Sequence, residues 1–266
     1  MSILEITSPE RTDRIQDSLR VALPEPRLRL NQDEEWCLVE TEDGWEEIRF
    51  HDYASLYKIP GLYERVFYDI LECDSPATVR RALEDAIEEC GTSAEQLRVL
   101  DLGAGNGMVG EELVDMGVET VVGIDIVAAA ACATERDRPG VYVEFHTTDI
   151  TNLSEEQRVQ LHEFRFNSLT CVAALGFGDI PPQAFIEAFN LVEPGGWIAF
   201  NIKEDFLRDS DGSGFSRLIR KMIKEGSLSI RHEERYRHRL ATSGKPLFYV
   251  CLVGVKNGDM DDSLIT

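Results

Sequence analysis

Lysine is scarce in this chain of 266 residues: six Lys, within 27 Lys+Arg in all, stand against 49 Asp+Glu and leave a formal net charge of −22. A surface so poor in cations repels phosphate backbones and anionic lipid, which argues against nucleic acid and membrane surfaces as partners. The excess acid reads as solubility or as tolerance of a saline cytoplasm, ahead of the steering of a cationic partner. Long apolar runs are missing too. The longest, over 121–133, is broken by Asp125 and falls short of the ~20 residues that a spanning helix needs. The cysteines (Cys37, Cys73, Cys90, Cys132, Cys171 and Cys251) contain no C-x-x-C pair, so neither a disulfide framework nor a metal site is read from them. No basic segment followed by an apolar one opens the chain. The expectation is a cytoplasmic protein with reduced thiols, in which Cys171 and Cys251 serve as small buried hydrophobes.

What is present is a globular composition, 43% hydrophobic, in a length that suits one large domain with a modest elaboration. Residues 1–33 are polar with little periodicity and read as a mobile or loosely docked arm. Residues 34–74 follow as an appended segment. In it, two β-prone runs flank Thr41-Glu42-Asp43-Gly44, a hairpin signal, and a helical stretch rich in Tyr53, Tyr57, Tyr63, Phe67 and Tyr68 is interrupted at Pro60-Gly61. From Ser75-Pro76, a cap followed by proline, apolar residues recur at helical spacing to Cys90, and Gly91 stops the helix. Strand and helix then alternate: strands over 98–102, 120–124, 141–146, 169–174 and 197–202, separated by helices over 108–116, 127–136, a short one from Ser154, and 183–191, with a last helix over 215–224. Apolar strands alternating with helices mean a parallel sheet covered on both faces. The last two strands, 229–240 and 247–255, are joined too tightly for a parallel crossover and make a hairpin whose charged first strand is the edge. The acidic tail, 257–266, is expected to fray.

The chemistry is concentrated where the first of these strands ends. Asp101-Leu102-Gly103-Ala104-Gly105-Asn106-Gly107 passes from a buried acid into alternating glycines and then a helix, an arrangement that brings backbone close to a ligand at a positive helix end. In open parallel sheets the crevice beyond the strand ends is the expected ligand site. Two nucleotide classes compete for it. Gly105-x-Gly107-x-x-Gly110 satisfies the dinucleotide fingerprint, with Asp125 lying 20 residues beyond Gly105. Asp101, however, would repel a pyrophosphate and suits an amino-acid ammonium.

This segment resembles the first motif of the class I S-adenosylmethionine-dependent methyltransferases. Gly123-Ile124-Asp125 resembles the second, whose acid grips the ribose hydroxyls, and Thr148-Asp149-Ile150 the one whose Asp contacts the adenine amino group. Leu191-Val192-Glu193-Pro194-Gly195-Gly196 is similar to the turn before the family's fifth strand. The resemblance, which covers roughly Tyr53 to Val255, implies an α/β, Rossmann-like, doubly wound domain over 75–256 with a seven-stranded, mostly parallel sheet and an antiparallel C-terminal hairpin strand; the N-terminal hairpin and helical extension is added to it, and what lies before Tyr53 is not covered. It implies S-adenosyl-L-methionine as cofactor, held by Asp101, Gly103, Ala104, Gly105, Asn106, Gly107, Asp125, Ile126, Asp149, Ile150, Ala174 and Tyr57.

Methyl transfer is an in-line displacement in which the protein mainly aligns the partners and sheds water, so a missing acid–base pair does not exclude it. After the fourth strand, Ala173-Ala174-Leu175-Gly176-Phe177-Gly178-Asp179-Ile180-Pro181-Pro182 departs from the Asn/Asp, two prolines and aromatic of the family's amino-methylating enzymes. With the acidic surface, this favours a small-molecule methyl acceptor. Tyr53, Tyr63, Phe177, Asp179 and Asn201 are the substrate candidates, and His51, beside the tyrosines that could form a lid, is the candidate base. Asp179 reads equally as a helix N-cap, and Asn201, Lys203 and Glu204 as solvated loop residues. His232, His238 and Tyr236 share one face of the edge strand and read as exposed. Two other classes stay open: an NAD-dependent oxidoreductase, and a silent adaptor that keeps the nucleotide fold and binds partners through the hairpin.

Overall fold

The computed structural model describes residues 4–5, 19–28, 30–208 and 210–261. The chain divides into two compact units, one comprising Met1–Asp74 with Arg237–Phe248, the other Ser75–Tyr236 with Tyr249–Thr266.

In the first unit, strands β1 (Leu4–Glu5), β2 (Val21–Leu23), β3 (Trp36–Thr41) and β4 (Gly44–Arg49) form an antiparallel sheet in that order. The hairpin is where the Asp-Gly signal put it, with Glu42 and Asp43 at the turn and Thr41 paired to Gly44. The arm expected over 1–33 differs from the expectation: Val21 and Ala22 are buried, and β2 is hydrogen-bonded to β3. Three residues are too few to display a period of two, which is why the segment reads as irregular. Residues 6–18 of that arm lie outside the described residues. Helices α1 (Tyr53–Lys58) and α2 (Leu62–Glu64) break at Pro60-Gly61 as read, and a π-helical turn over Arg65–Ile70 follows. Their apolar sides join Cys37, Val39, Ile48 and Phe50 in one core. Within it lies a buried ion pair, Arg239 to Glu35 at 2.7 Å, whose carboxylate also accepts the Thr242 amide.

The second unit contains α3 (Ser75–Glu89), β5 (Arg98–Leu102), α4 (Met108–Asp115), β6 (Thr120–Asp125), α5 (Ala128–Asp137), β7 (Glu144–Thr147), α6 (Glu155–Glu163), β8 (Ser168–Cys171), α7 (Pro182–Leu191), β9 (Trp197–Lys203) and α8 (Phe215–Glu225), with β10 (Leu228–Leu240) up to Tyr236 and β11 (Pro246–Lys256) from Tyr249. The sheet runs β10-β11-β9-β8-β5-β6-β7. Strands β5 to β9 pair in parallel, β11 is antiparallel to β9, and β10 is the edge. Side chains alternate between its two faces. Leu100, Val122, Ile198 and Phe200 pack against Phe185, Phe189 and Phe215 of α7 and α8. Val99, Val121, Trp197 and Ala199 meet Val79, Leu83 and Leu113 of α3 and α4 on the other face.

Three further expectations are corrected. The strand expected over 141–146 begins only at Glu144, because Tyr142 turns inward to bond Asp101. The strand expected to reach Ala174 stops at Cys171, because Ala173 takes a left-handed φ of 56° that no strand accommodates. The tail expected to fray docks as far as Met260, which is buried and donates its amide to the Asn190 side chain; residues 262–266 lie outside the described residues. No helix among the described residues is long and apolar enough to cross a membrane.

Arg239→Met is expected to destabilise the protein by about 3–5 kcal/mol, since it strands the Glu35 carboxylate out of water. Urea unfolding followed by circular dichroism measures this, and a loss below 1 kcal/mol would show that the pair contributes little.

Candidate cofactor site

Strand β5 delivers the chain to a turn whose own backbone groups are almost all used. The amides of Gly103 and Ala104 both donate to Ile124 O, at 2.9 and 3.1 Å, and that of Gly107 to Ala104 O. The Gly105 amide donates to Asp125 Oδ2 at 2.9 Å, and Asp125 Oδ1 accepts from Val127 N at 2.8 Å. Thr134 Oγ1 of α5 donates to Gly105 O, and Arg138 Nη1, at the end of that helix, donates to Asn106 O. The positive helix end therefore does not leave these amides open to an anion. These four donors point into the protein, and a diphosphate would find them occupied.

Glycine is required here for close approach. Gly103 has φ +75°, and a Cβ on it would lie 2.8 Å from Ile180 Cδ1 and 3.0 Å from Ala174 Cβ, so the loop after β8 rests on the turn. At Gly110 a Cβ would lie 2.7 Å from the Tyr142 ring. That third glycine of the dinucleotide fingerprint thus has its own explanation: it clears space for Tyr142 to reach Asp101.

Asp101 is 1% exposed. Its Oδ1 accepts the Thr170 hydroxyl and its Oδ2 the Tyr142 hydroxyl, both at 2.7 Å. Burial pushes its carboxyl from 3.8 up to about 6, the hydroxyls of Tyr142 and Thr170 oppose that rise, and the Asp125 charge adds to it. Burial also raises the Asp125 carboxyl, against the lowering effect of the Val127 and Gly105 amides. Direct contact of the Asp101 side chain with a ligand is thereby corrected: it braces the turn from below.

The other expected residues lie at separate places in the fold. Asp125 is half-buried at the end of β6, and Ile126 beside it is 63% exposed, a large apolar side chain offered to whatever occupies the crevice. Asp149 is exposed and caps the short turn over Ile150–Asn152, accepting both the amide and the hydroxyl of Thr151. The Ile150 side chain is buried in the main core, so its side chain is withdrawn from the candidate ligand contacts. At the exits of β8 and β9, Phe177 packs edge-on against Phe206 with ring centres 4.9 Å apart, and Lys203 Nζ stands 5.2 Å from the Phe177 ring centre. Asp179 is not the N-cap of α7; Pro181 holds that position. Asn201 is neither solvated nor available to substrate, being fully buried with its amide bonded at both ends.

His51, Tyr53, Tyr57 and Tyr63 lie in the first unit. There they form a chain of rings, His51 to Tyr53 at 5.9 Å, Tyr53 to Tyr57 at 6.1 Å and Tyr57 to Tyr63 at 5.1 Å. Tyr142, Thr170, Tyr236 and Ser75 were missed. Each is an ordinary strand, loop or cap residue by local pattern, and only its partner across the fold gives it a role. His238, read as exposed, is buried, and burial holds its imidazole well below the usual range.

The chain matches the family model of a methyltransferase domain over residues 77–239, more than half of its length. It belongs to the class I S-adenosylmethionine-dependent methyltransferases. A ubiquinone biosynthesis O-methyltransferase from Alkalilimnicola ehrlichii is 30% identical over 130 residues, 49% of this chain and 51% of that protein. One from Bordetella avium is 30% identical over 117 residues, 43% and 46% of the respective chains. The chain thus spans about half the length of the curated relatives it matches. Among solved structures, an N-methyltransferase from Bradyrhizobium japonicum WM9 in complex with S-adenosyl-L-homocysteine aligns with a TM-score of 0.52 at 12% identity, covering 78% of this chain and 97% of that one. At that identity the likeness is one of fold.

The donor chemistry of this methyltransferase suits the family's cofactor. S-adenosylmethionine is positively charged at sulfur and at its ammonium, and the turn has two carboxylates beside it and its amides turned inward, the reverse of an anion site.

The raised Asp101 carboxyl makes a pH prediction. A carboxyl held above its unfolded value stabilises the fold while protonated, and that contribution is lost as pH rises from about 4 through about 6. Relative to Asp101→Asn, the wild type should therefore lose up to about 3 kcal/mol of stability across that window. Urea unfolding of both proteins at pH 4 to 7 measures it; a difference independent of pH would contradict the assignment.

Proposed function

We propose that this methyltransferase moves the methyl group of S-adenosylmethionine to a small-molecule acceptor, with the cofactor lying over residues 103–107 at the carboxyl end of β5. One observation carries the reading: the inward-turned amides together with the Asp101 and Asp125 carboxylates. In this reading Asp125 takes the ribose hydroxyls, Ile126 covers one face of the adenine and Asp149 accepts from its amino group. When bound, the cofactor supplies a methyl group on a positively charged sulfur, an electrophile that needs no activation by the protein. The chain's own residues then have to orient the acceptor and exclude water.

For the acceptor, support comes from the exits of β8 and β9 and from the named relatives. Phe177 and Phe206, packed edge-on, offer an apolar wall, and Lys203 brings an ammonium against it, paired with Asp205 at 3.4 Å. Such a wall suits an aromatic or other apolar acceptor with an acidic hydroxyl. A cation beside that hydroxyl favours its deprotonated, nucleophilic form, so that O-methylation proceeds without a separate strong base. The O-methyltransferase names of the curated relatives agree with this, as does the excess of acid over base on the chain, which disfavours polyanionic acceptors.

Isothermal calorimetry with S-adenosylhomocysteine tests the cofactor half. Binding in the micromolar range is expected, with Asp125→Ala weakening it by about tenfold or more, as loss of a charged hydrogen-bond acceptor does. No heat at millimolar ligand, or heat with NAD instead, would overturn the reading. For the acceptor half, Lys203→Met should raise KM for phenolic acceptors in a methyl-transfer assay while leaving S-adenosylhomocysteine affinity unchanged.

A further inference from the structure

Asn201 is out of place by composition. Its strand neighbours Trp197, Ile198, Ala199, Phe200 and Ile202 are all buried and apolar, and Asn201 itself is 0% exposed. A buried amide is costly unless both its ends are bonded. Here both are. Its Oδ1 accepts the backbone amide of Ala173 at 2.6 Å, and its Nδ2 donates to the Tyr236 hydroxyl. That hydroxyl lies 2.6 Å from Ser75 Oγ, which is also fully buried, at the first residue of α3. Tyr236 accepts from Asn201 and shares a hydrogen bond with Ser75 in which either hydroxyl can donate, so the three side chains form one connected relay.

The relay ends on a strained residue. Ala173 has φ +56°, a conformation that costs an L-residue with a Cβ of the order of 1–2 kcal/mol. Its neighbour Ala174, with Ile180, is what lies against Gly103, and the loop is closed on itself by bridges from Ile180 to Leu175 and Gly176. The backbone of Ala173 therefore sets how closely this loop sits on the glycine turn. An apolar side chain at 201 would fill the same volume but could not hold an amide.

We propose that Asn201 and Tyr236 are positioning residues: through the Ala173 amide they hold the loop after β8 in the one conformation that shapes the cofactor crevice. This rests on the cofactor reading above. The relay acts at a distance, since neither side chain is open to the crevice.

The test compares S-adenosylhomocysteine binding by calorimetry with amide hydrogen exchange at Ala173. Tyr236→Phe removes a single oxygen, and Asn201→Ala removes the direct contact. Both are expected to weaken binding by about tenfold and to speed exchange at Ala173. Ala173→Gly, which adopts the same φ without strain, should restore most of the affinity in the Tyr236→Phe background. Wild-type affinity in Tyr236→Phe, or a loss that Ala173→Gly does not recover, would overturn the proposal. If Asn201→Ala fails to fold, Tyr236→Phe carries the comparison by itself. A wild-type protein that binds no S-adenosylhomocysteine would overturn the cofactor reading instead; Ala173 exchange would then decide the relay, faster exchange in Tyr236→Phe supporting it and unchanged exchange overturning it.

Discussion

A carboxylate held almost entirely out of water, with one hydroxyl on each oxygen, is the constraint on which the site depends. Asp101 ends its strand beneath the glycine turn, and the hydroxyls that satisfy it come from Thr170 on the neighbouring strand and Tyr142 beyond α5. Removing either hydroxyl would leave a buried charge under-bonded, so the three positions specify one another. That mutual dependence fixes the spacing of β5 and β8 and the path of the chain into β7. It also explains Gly110, whose missing side chain is the space that the Tyr142 ring uses.

Above that carboxylate the turn is organised before any ligand arrives. Amides at 103, 104, 105 and 107 are bonded to the protein itself, and two of the carbonyls are tied down from α5. Little conformational entropy remains to be lost on binding, a form of preorganisation. The sign of the charge offered to a ligand follows from the same bonds: acids lie close to the turn, and its amides at 103, 104, 105 and 107 are already bonded within the protein. A glycine-rich turn at a helix start is thus not in itself an anion site. What its amides already bond decides.

The fold reuses one device at two places. Among the apolar inner strands of the sheet, Asp101–Thr170 and Asn201–Tyr236 are buried polar pairs, the first bonded on to Tyr142 before β7 and the second to Ala173 in the loop after β8. A hydrophobic contact tolerates sliding by an ångström or so, whereas a buried hydrogen bond does not, because the misaligned alternative leaves a polar group without water and without a partner. Lys256 makes the same point away from the site: its buried ammonium takes the carbonyls of Phe189, Asn190 and Val192 and so ends α7.

Local pattern made much of this legible. Apolar runs ending in glycine or acid announced β5 and β6, the Asp-Gly step announced the hairpin, and the shortness of the link between β10 and β11 required them to be antiparallel. Where the reading failed, the cause was a partner distant in sequence. Val21–Leu23 is a strand only because β3 pairs with it, and β8 ends early because Asn201 holds Ala173 out of the strand conformation. Tyr236 looked like an exposed edge residue because alternation along β10 does not reveal Ser75. The order of elements, the parallel sheet and the glycine turn at the end of β5 were determined by the sequence alone, since periodicity and turn chemistry act over a few residues. How the amides of the turn are bonded, which acid is withdrawn beneath it and how the loop after β8 is held were decided by tertiary structure, because a hydrogen bond needs both of its partners and most of these lie 20 to 161 residues apart along the chain.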